Sequence, residues 1–457
     1  LKDGVQGGAS RSGFWENTMM NRLRDCSRRD FMKTSATAAA SLSAFSLGLP
    51  SGAYAAGSDT VRVGMVGCGN RGAGAATNCL EADAGVRIVA IADPFQDRID
   101  NGLAKMKQWC EKNGQAFEQR VKVTPETTFV GFDGYKRLLA LKEVDMVLIA
   151  TPANFHPVHL EAAIRAGKHA FMEKPAGVDP PGMRRIIEAG ELARQKGLAI
   201  VAGTQRRHQA KYRQNAHAVA QGAIGRITGG RVWWCGGGSS NPPRRQPGQS
   251  DAEYLVRNWY RFSMMSGDHI VEQHVHNLDV ANWFIGRPPV QALGFGGRAR
   301  RQGGNQYDFF SVDLDYGDDV IVHSMCRQVK GCFTRVSEQF IGTEGSVWGD
   351  GKLAGKQMPV LDFEEKGGPY VQEHRDLIRS IRAGEPLNEA RNVAESTMVA
   401  IMGRISAYTG QIVRWSDLMK NTNSQWYNLT LKPTAADFES GTVVAPQENV
   451  IPLPGEA

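Results

Sequence analysis

Val61-Arg62-Val63-Gly64-Met65-Val66 runs directly into Gly67-Cys68-Gly69-Asn70-Arg71-Gly72, and the reading of these residues decides the fold. The first six form an apolar, β-branched run of strand type. The glycines of the next six let the backbone turn tightly, and residues 72–81 continue as a helix. A strand, glycine turn and helix in this order bring amide hydrogens and the positive end of a helix dipole to bear on a pyrophosphate. A GxGxxG string alone is weak evidence, but here Asp93 stands twenty-one positions after Gly72, at the end of the next apolar run. Its carboxylate is placed to accept both ribose hydroxyls and to repel a 2′-phosphate, which favours NAD over NADP. Gly67, Gly69, Asn70, Arg71, Gly72 and Asp93 are the candidate cofactor residues of this turn.

Outward from the turn, short β-branched runs alternate with longer helical stretches. Strand-like runs at residues 86–92, 146–150, 169–172 and 198–202 are separated by helices near 97–113, 157–166 and 181–195. Such alternation predicts a parallel sheet covered by helices on both faces. After Tyr212 the pattern changes to strand runs at 227–235, 290–295, 309–316, 320–325 and 333–341, with one major helix over 269–284. Turns such as Tyr316-Gly317-Asp318 predict a mainly antiparallel sheet, one face on helices and the other open to substrate or a second subunit. Residues 236–250, rich in Gly, Ser, Pro and Arg, read as a loop and a candidate lid. Amphipathic stretches 371–383 and 389–408 are expected to brace the first domain.

The fold class is therefore α/β. An N-terminal Rossmann domain (60–205) precedes a C-terminal α+β domain with an open, mainly antiparallel sheet (206–418), between a leader (1–55) and a C-terminal extension (419–457). A length of 457 residues suits two domains.

Net charge is +7, of which seven basic and four acidic residues before residue 56 account for +3. The remaining +4 is too dilute to argue for nucleic acid or a membrane surface. No apolar run after residue 60 approaches the roughly 20 residues of a bilayer span, so stable membrane insertion is not expected. The seven cysteines are scattered without a CxxC pair and read as buried fillers. Ser27-Arg28-Arg29-Asp30-Phe31-Met32-Lys33, a mildly apolar stretch to Leu49, and Ala53-Tyr54-Ala55 resemble a twin-arginine export signal cleaved after Ala55. Met19 or Met20 is a plausible start. This signal implies handling by the twin-arginine translocase, a periplasmic location, and export after folding, often around a cofactor.

Two further strings narrow the class. Ala150-Thr151-Pro152-Ala153-Asn154-Phe155-His156 and Met172-Glu173-Lys174-Pro175 both fall at carboxyl ends of strands, where ligands of such sheets sit. With them the chain, from about Val61 to about Trp415, resembles the glucose-fructose oxidoreductase, inositol dehydrogenase and rhizopine-catabolism (Gfo/Idh/MocA) family. The resemblance implies a sugar or polyol oxidoreductase in which the lysine of the Glu-Lys-Pro run contacts substrate and nicotinamide. Thr151, Pro152, His156, Glu173 and Lys174 are thus placed against the cofactor, with Lys174 also catalytic. In the segment from Gly267 to Asp279, the family commonly carries Asp, three residues, then the His that removes the alcohol proton. This nominates His276, with Glu272 replacing the usual Asp, so that Glu272 either touches substrate or only orients His276.

On a continuous helix Glu272, His276, Asp279 and Trp283 would line one face. Asp279, Gln205 and Arg206, together with Trp259 as a sugar-stacking aromatic, are the candidate substrate residues; His274 should pack or line the rim. His269, Glu272, Gln273 and His276 could be imagined as metal ligands. No further ligand is evident elsewhere, and no metal is expected. Three functions follow: hydride transfer at a sugar or polyol hydroxyl carbon with tightly bound NAD; redox-neutral glycoside cleavage through a transient keto-sugar; or a non-catalytic NAD or sugar sensor. The presence of both Lys174 and His276 argues against the last. A homodimer or homotetramer is expected from the open sheet face.

Overall fold

The computed structural model describes residues 59–237 and 245–454. The leader, Cys26 and residues 238–244 of the candidate lid lie outside the described residues. Six strands form the first sheet: β1 (Val61–Val66), β2 (Val86–Asp93), β3 (Thr128–Val130), β4 (Met146–Ile149), β5 (His169–Met172) and β6 (Ile200–Ala202). Their order is β3-β2-β1-β4-β5-β6, and every pairing is parallel. β4 and β5 are buried at every position, as strands covered on both faces must be. The covering helices include α1 (Asn70–Ala82), α2 (Gln96–Lys112), α3 (His156–Arg165) and α4 (Pro180–Lys196). Strand order reverses between β1 and β4, opening a crevice above their carboxyl ends where this architecture binds its ligands.

The second sheet holds β7 (Ile227–Gly236), β8 (Gln291–Gly297), β9 (Phe309–Asp315), β10 (Ile321–Gln328), β11 (Arg335–Gly342), β12 (Gly345–Trp348), β13 (Leu353–Ala354) and β14 (Val413–Arg414). The order is β13-β12-β11-β7-β10-β9-β8-β14. All pairs are antiparallel except β7 with β10, between which the chain makes its helical excursion. α5 (Ala210–Ala220) precedes β7, and the excursion carries α6 (Asp251–Arg257), α7 (Asp268–Glu272) and α8 (Val275–Ile285). The returning helices are α9 (Pro369–Ala383) and α10 (Ala390–Thr409).

α10 is buried along nearly its whole length and packs against α4, α8 and β8, joining the two sheets through one apolar cluster. The outer face of the second sheet leaves Leu293, Phe295, Ile321, Met325 and Ile341 exposed. Among the described residues no helix is long and apolar enough to cross a membrane.

The helix expected over 269–284 is broken. α7 stops at Glu272 and α8 begins at Val275, because His274 N–H donates to the carbonyl of His269, five residues back, at 3.1 Å. His276 N–H then donates to Gln273 at 3.3 Å. The carbonyl of Glu272, which an unbroken helix would have offered to that amide, is released.

Candidate active site

The glycine turn is packed as its chemistry requires. Gly67 adopts φ +94°, and a Cβ there would lie 2.7 Å from the Ala150 carbonyl; one at Gly72 would lie 2.0 Å from the Gly67 oxygen. At Gly69 the same atom would meet nothing within 4 Å, leaving the backbone open on the ligand side. Asp93 accepts from the amides of Cys68 (2.7 Å) and Phe95 (3.0 Å), which aims its carboxylate over the turn. Around it lies a cavity of about 340 Å³. Gly67, Gly69, Asn70, Arg71, Asp93, Thr151 and Pro152 line it; Gly72 instead closes the turn from behind. Asn70 also accepts from Lys105 on α2 at 2.6 Å. These residues fit a dinucleotide.

His156 does not reach that cavity. Its Nδ1 and Nε2 lie 2.7 and 2.8 Å from the carbonyl oxygens of Pro175 and Thr151, so it joins the loops after β4 and β5. His159, one turn further along α3, lines the cavity instead and meets Thr151 Oγ1 at 3.1 Å. Glu173 and Lys174, both expected against the cofactor, also stay off the cavity wall; Glu173 pairs with Arg71, tying the Glu-Lys-Pro loop to the glycine turn.

Lys174 donates to the released Glu272 carbonyl at 2.6 Å and to its Oε1 at 3.0 Å. The ammonium and carboxylate are both largely buried. Glu272 therefore positions Lys174 and makes no hydrogen bond to His276, whose Nδ1 has no partner among the described residues. The His276 ring lies on Trp234, with centroids 5.7 Å apart and an interplanar angle of 21°. Burial, then the charges of Lys174 and Arg206, push its pKa well below the usual imidazole value. The expectation that Glu272 orients His276 is thus corrected: Glu272 serves Lys174, and burial with a lysine and an arginine bearing on the ring favours neutral His276.

The candidate substrate residues divide. Asp279 is buried, and its carboxylate is occupied by Arg207 at 2.8–3.1 Å and by Ser396 at 2.8 Å, so it organises the base of the site without facing a substrate. Arg206 pairs with buried Glu338, which also accepts from Tyr212 and Asn277. Trp259 lines the cofactor cavity. Gln205 donates to the Tyr370 hydroxyl at 3.3 Å and keeps a buried amide oxygen without a partner among the described residues. His274 packs against Ser324. The break between α7 and α8 also dissolves the single helical face imagined for a metal; the described residues contain no cluster of His, Cys, Asp and Glu suited to one.

Fold, glycine turn and Asp93 together point to a dinucleotide-dependent oxidoreductase. The profile of the oxidoreductase family with NAD-binding Rossmann fold (Gfo/Idh/MocA) matches residues 61–204, and that of the Gfo/Idh/MocA C-terminal domain matches 212–348. The two span more than half of the chain, which belongs to this family; its first domain is an NAD-binding Rossmann domain.

A dTDP-3,4-didehydro-2,6-dideoxy-alpha-D-glucose 3-reductase of Actinomadura kijaniata is 30% identical over 172 residues, 38% of this chain and 45% of that protein. A glycosyl hydrolase family 109 protein of Streptomyces coelicolor is 29% identical over 184 residues, 40% of this chain and 35% of that one. The matches thus span less than half the length of these two relatives. Among solved structures, scyllo-inositol dehydrogenase from Lactobacillus casei with bound NAD(H) and scyllo-inositol superposes with TM-score 0.57 at 20% identity, over 78% of this chain and 99% of that one. It shares the fold.

Proposed function

We propose that this chain transfers hydride between a hydroxyl-bearing carbon of a sugar or polyol and NAD that stays tightly bound. The observation that carries the reading is the bond from Lys174, in the loop that Arg71 and Glu173 tie to the glycine turn, to the Glu272 carbonyl, four residues before His276. NAD supplies the hydride acceptor or donor. Lys174, fixed by two hydrogen bonds to Glu272, retains a third donor for a substrate oxygen and stabilises negative charge developing there. His276, neutral and fixed over Trp234, takes the hydroxyl proton and returns it in the reverse direction.

Relatives of the glycosyl hydrolase 109 family at similar identity favour a second reading. There oxidation of a sugar carbon acidifies the neighbouring C–H, a glycosidic bond is eliminated, and the hydride returns to the sugar. The resemblance of residues 27–55 to a twin-arginine signal supports export to the periplasm with NAD aboard, where free NAD is scarce. The apolar outer face of the second sheet supports a homo-oligomer, dimer or tetramer.

Nucleotide released by denaturing the purified protein should be NAD by mass. Sugars and polyols screened against the loaded protein should then yield reduced nicotinamide absorbance. Aglycone release without accumulating NADH would select the second reading. Bound NAD unchanged by every sugar and glycoside would defeat both and leave a sensor.

A further inference from the structure

The cofactor cavity is roofed from the far side by the second domain. α6 and the turn after it place Val256, Arg257 and Trp259 on the cavity wall, opposite the glycine turn. Arg257 reaches across to α2, donating to both oxygens of Asp97 at 2.8 and 3.0 Å, with its guanidinium 4.3 Å from the Phe95 ring centre. Asp97 sits four residues after Asp93, so the bridge closes over the end of the cavity where Asp93 would receive a ribose.

The C-terminal extension fastens this bridge from outside. Ala445 N–H donates to Asp251 at 2.7 Å and Glu448 accepts from the Tyr254 hydroxyl, both on α6. A short helix, α11 (Ala435–Ser440), holds the opposite wall: Glu439 accepts from Tyr135 at 2.8 Å, and the Phe438 ring packs 5.3 and 5.0 Å from those of Phe132 and Phe155. Tyr135, Phe132 and Phe155 line the same cavity. One segment thus clasps both walls.

We infer that α6, latched by Arg257 to Asp97 and clasped by the C-terminal extension, is a strap that retains the dinucleotide as a resident group through repeated turnovers. This rests on the reading of the cleft as an NAD site. Asp97 is half-exposed, so the latch is solvent-screened and its contribution modest; the clasp adds hydrogen bonds and aromatic packing.

The test is the rate at which NAD leaves the loaded full-length protein into an enzymatic trap that consumes free NAD. Arg257→Gln should speed release about three- to tenfold, and Asp97→Asn likewise, with no further gain in the double variant. Tyr254→Phe and Glu448→Gln should each speed it about two- to fivefold, keeping the test open if the Arg257 variant does not fold. Added salt should speed wild-type release and leave the Arg257→Gln rate nearly unchanged. Equal release rates in wild type and all five variants would overturn the strap while leaving the NAD site standing. A wild-type protein that binds no NAD would overturn the reading of the cleft itself.

Discussion

The two ends of the cleft are made of different material. At the dinucleotide end the work is done by backbone: Gly67 and Gly72 touch main chain where any side chain would collide, and Asp93 is aimed by amides. At the other end the cations are side chains held by carboxylates, while His276 lies on the Trp234 ring. Lys174 is held by Glu272, Arg207 by Asp279 and Arg206 by Glu338. A site made of backbone is local in the chain, running from 67 to 93; one made of paired side chains is assembled from segments separated by up to 164 residues. Backbone geometry tolerates almost no substitution, whereas a charged side chain can be exchanged with the scaffold intact. The two ends should therefore fail differently.

The sharpest contrast should come from Lys174→Ala, expected to lower kcat/KM by roughly 10²- to 10⁴-fold while the purified protein still carries NAD. Steady-state kinetics beside nucleotide quantification read both; parallel loss of NAD would erase the distinction. Gly72→Ala forces its new methyl carbon against the Gly67 oxygen. It should cost about 1–3 kcal/mol of stability and most NAD affinity, seen in thermal unfolding and titration. Wild-type values for that variant would mean the turn is looser than its packing implies.

Asp93→Asn leaves the turn in place but removes the charge that repels a 2′-phosphate. The NAD-over-NADP preference should shrink about tenfold in paired titrations, and an unchanged ratio would move that discrimination elsewhere. The smallest effect concerns pH. Because the pKa of His276 is pushed down, its base form already dominates at pH 6.5, where an ordinary imidazole would be half protonated. kcat/KM should thus change less than about twofold between pH 8 and 6.5 and fall only in more acid solution; an acid limb centred near 6.5 would show an unperturbed base.

Stability should follow the same sign. His159, His169 and His274, with pKa values pushed down by burial to about 3, about 4 and about 3, stay neutral in the native protein but take up protons on unfolding near 6.5. Thermal stability should therefore decline as pH falls below 6.5. His208, raised to about 10 chiefly by Glu389 and Asp376 against the cost of burial, acts oppositely. Its contribution is present below 6.5 and is lost as pH rises through about 10.

Most of the first sheet could be read from residue pattern because each strand and helix there states its own period. β3, three residues long, was too short to announce itself, as were β13 and β14. Lys174 and His276 were legible as candidates; their relation was not. Helical spacing paired Glu272 with His276, whereas the bond between Lys174 and the Glu272 carbonyl accompanies a break in that helix. His156 shares a string with true cavity residues but spends both nitrogens on carbonyls. Arg257, Tyr135 and His159 carried no local mark, since what makes them cavity residues is the approach of distant segments.

Residue order alone established a parallel α/β domain and its glycine turn and marked Asp93 as a candidate for the ribose, because those features depend on short-range periodicity and on backbone freedom at glycine; Lys174 and His276 were nominated by family resemblance. Which carboxylate serves which cation, that the imidazole is kept neutral, and that a segment near residue 257 closes over the cofactor cavity were decided by tertiary structure. Burial and charge proximity are properties of packed space, and no spacing along the chain encodes them.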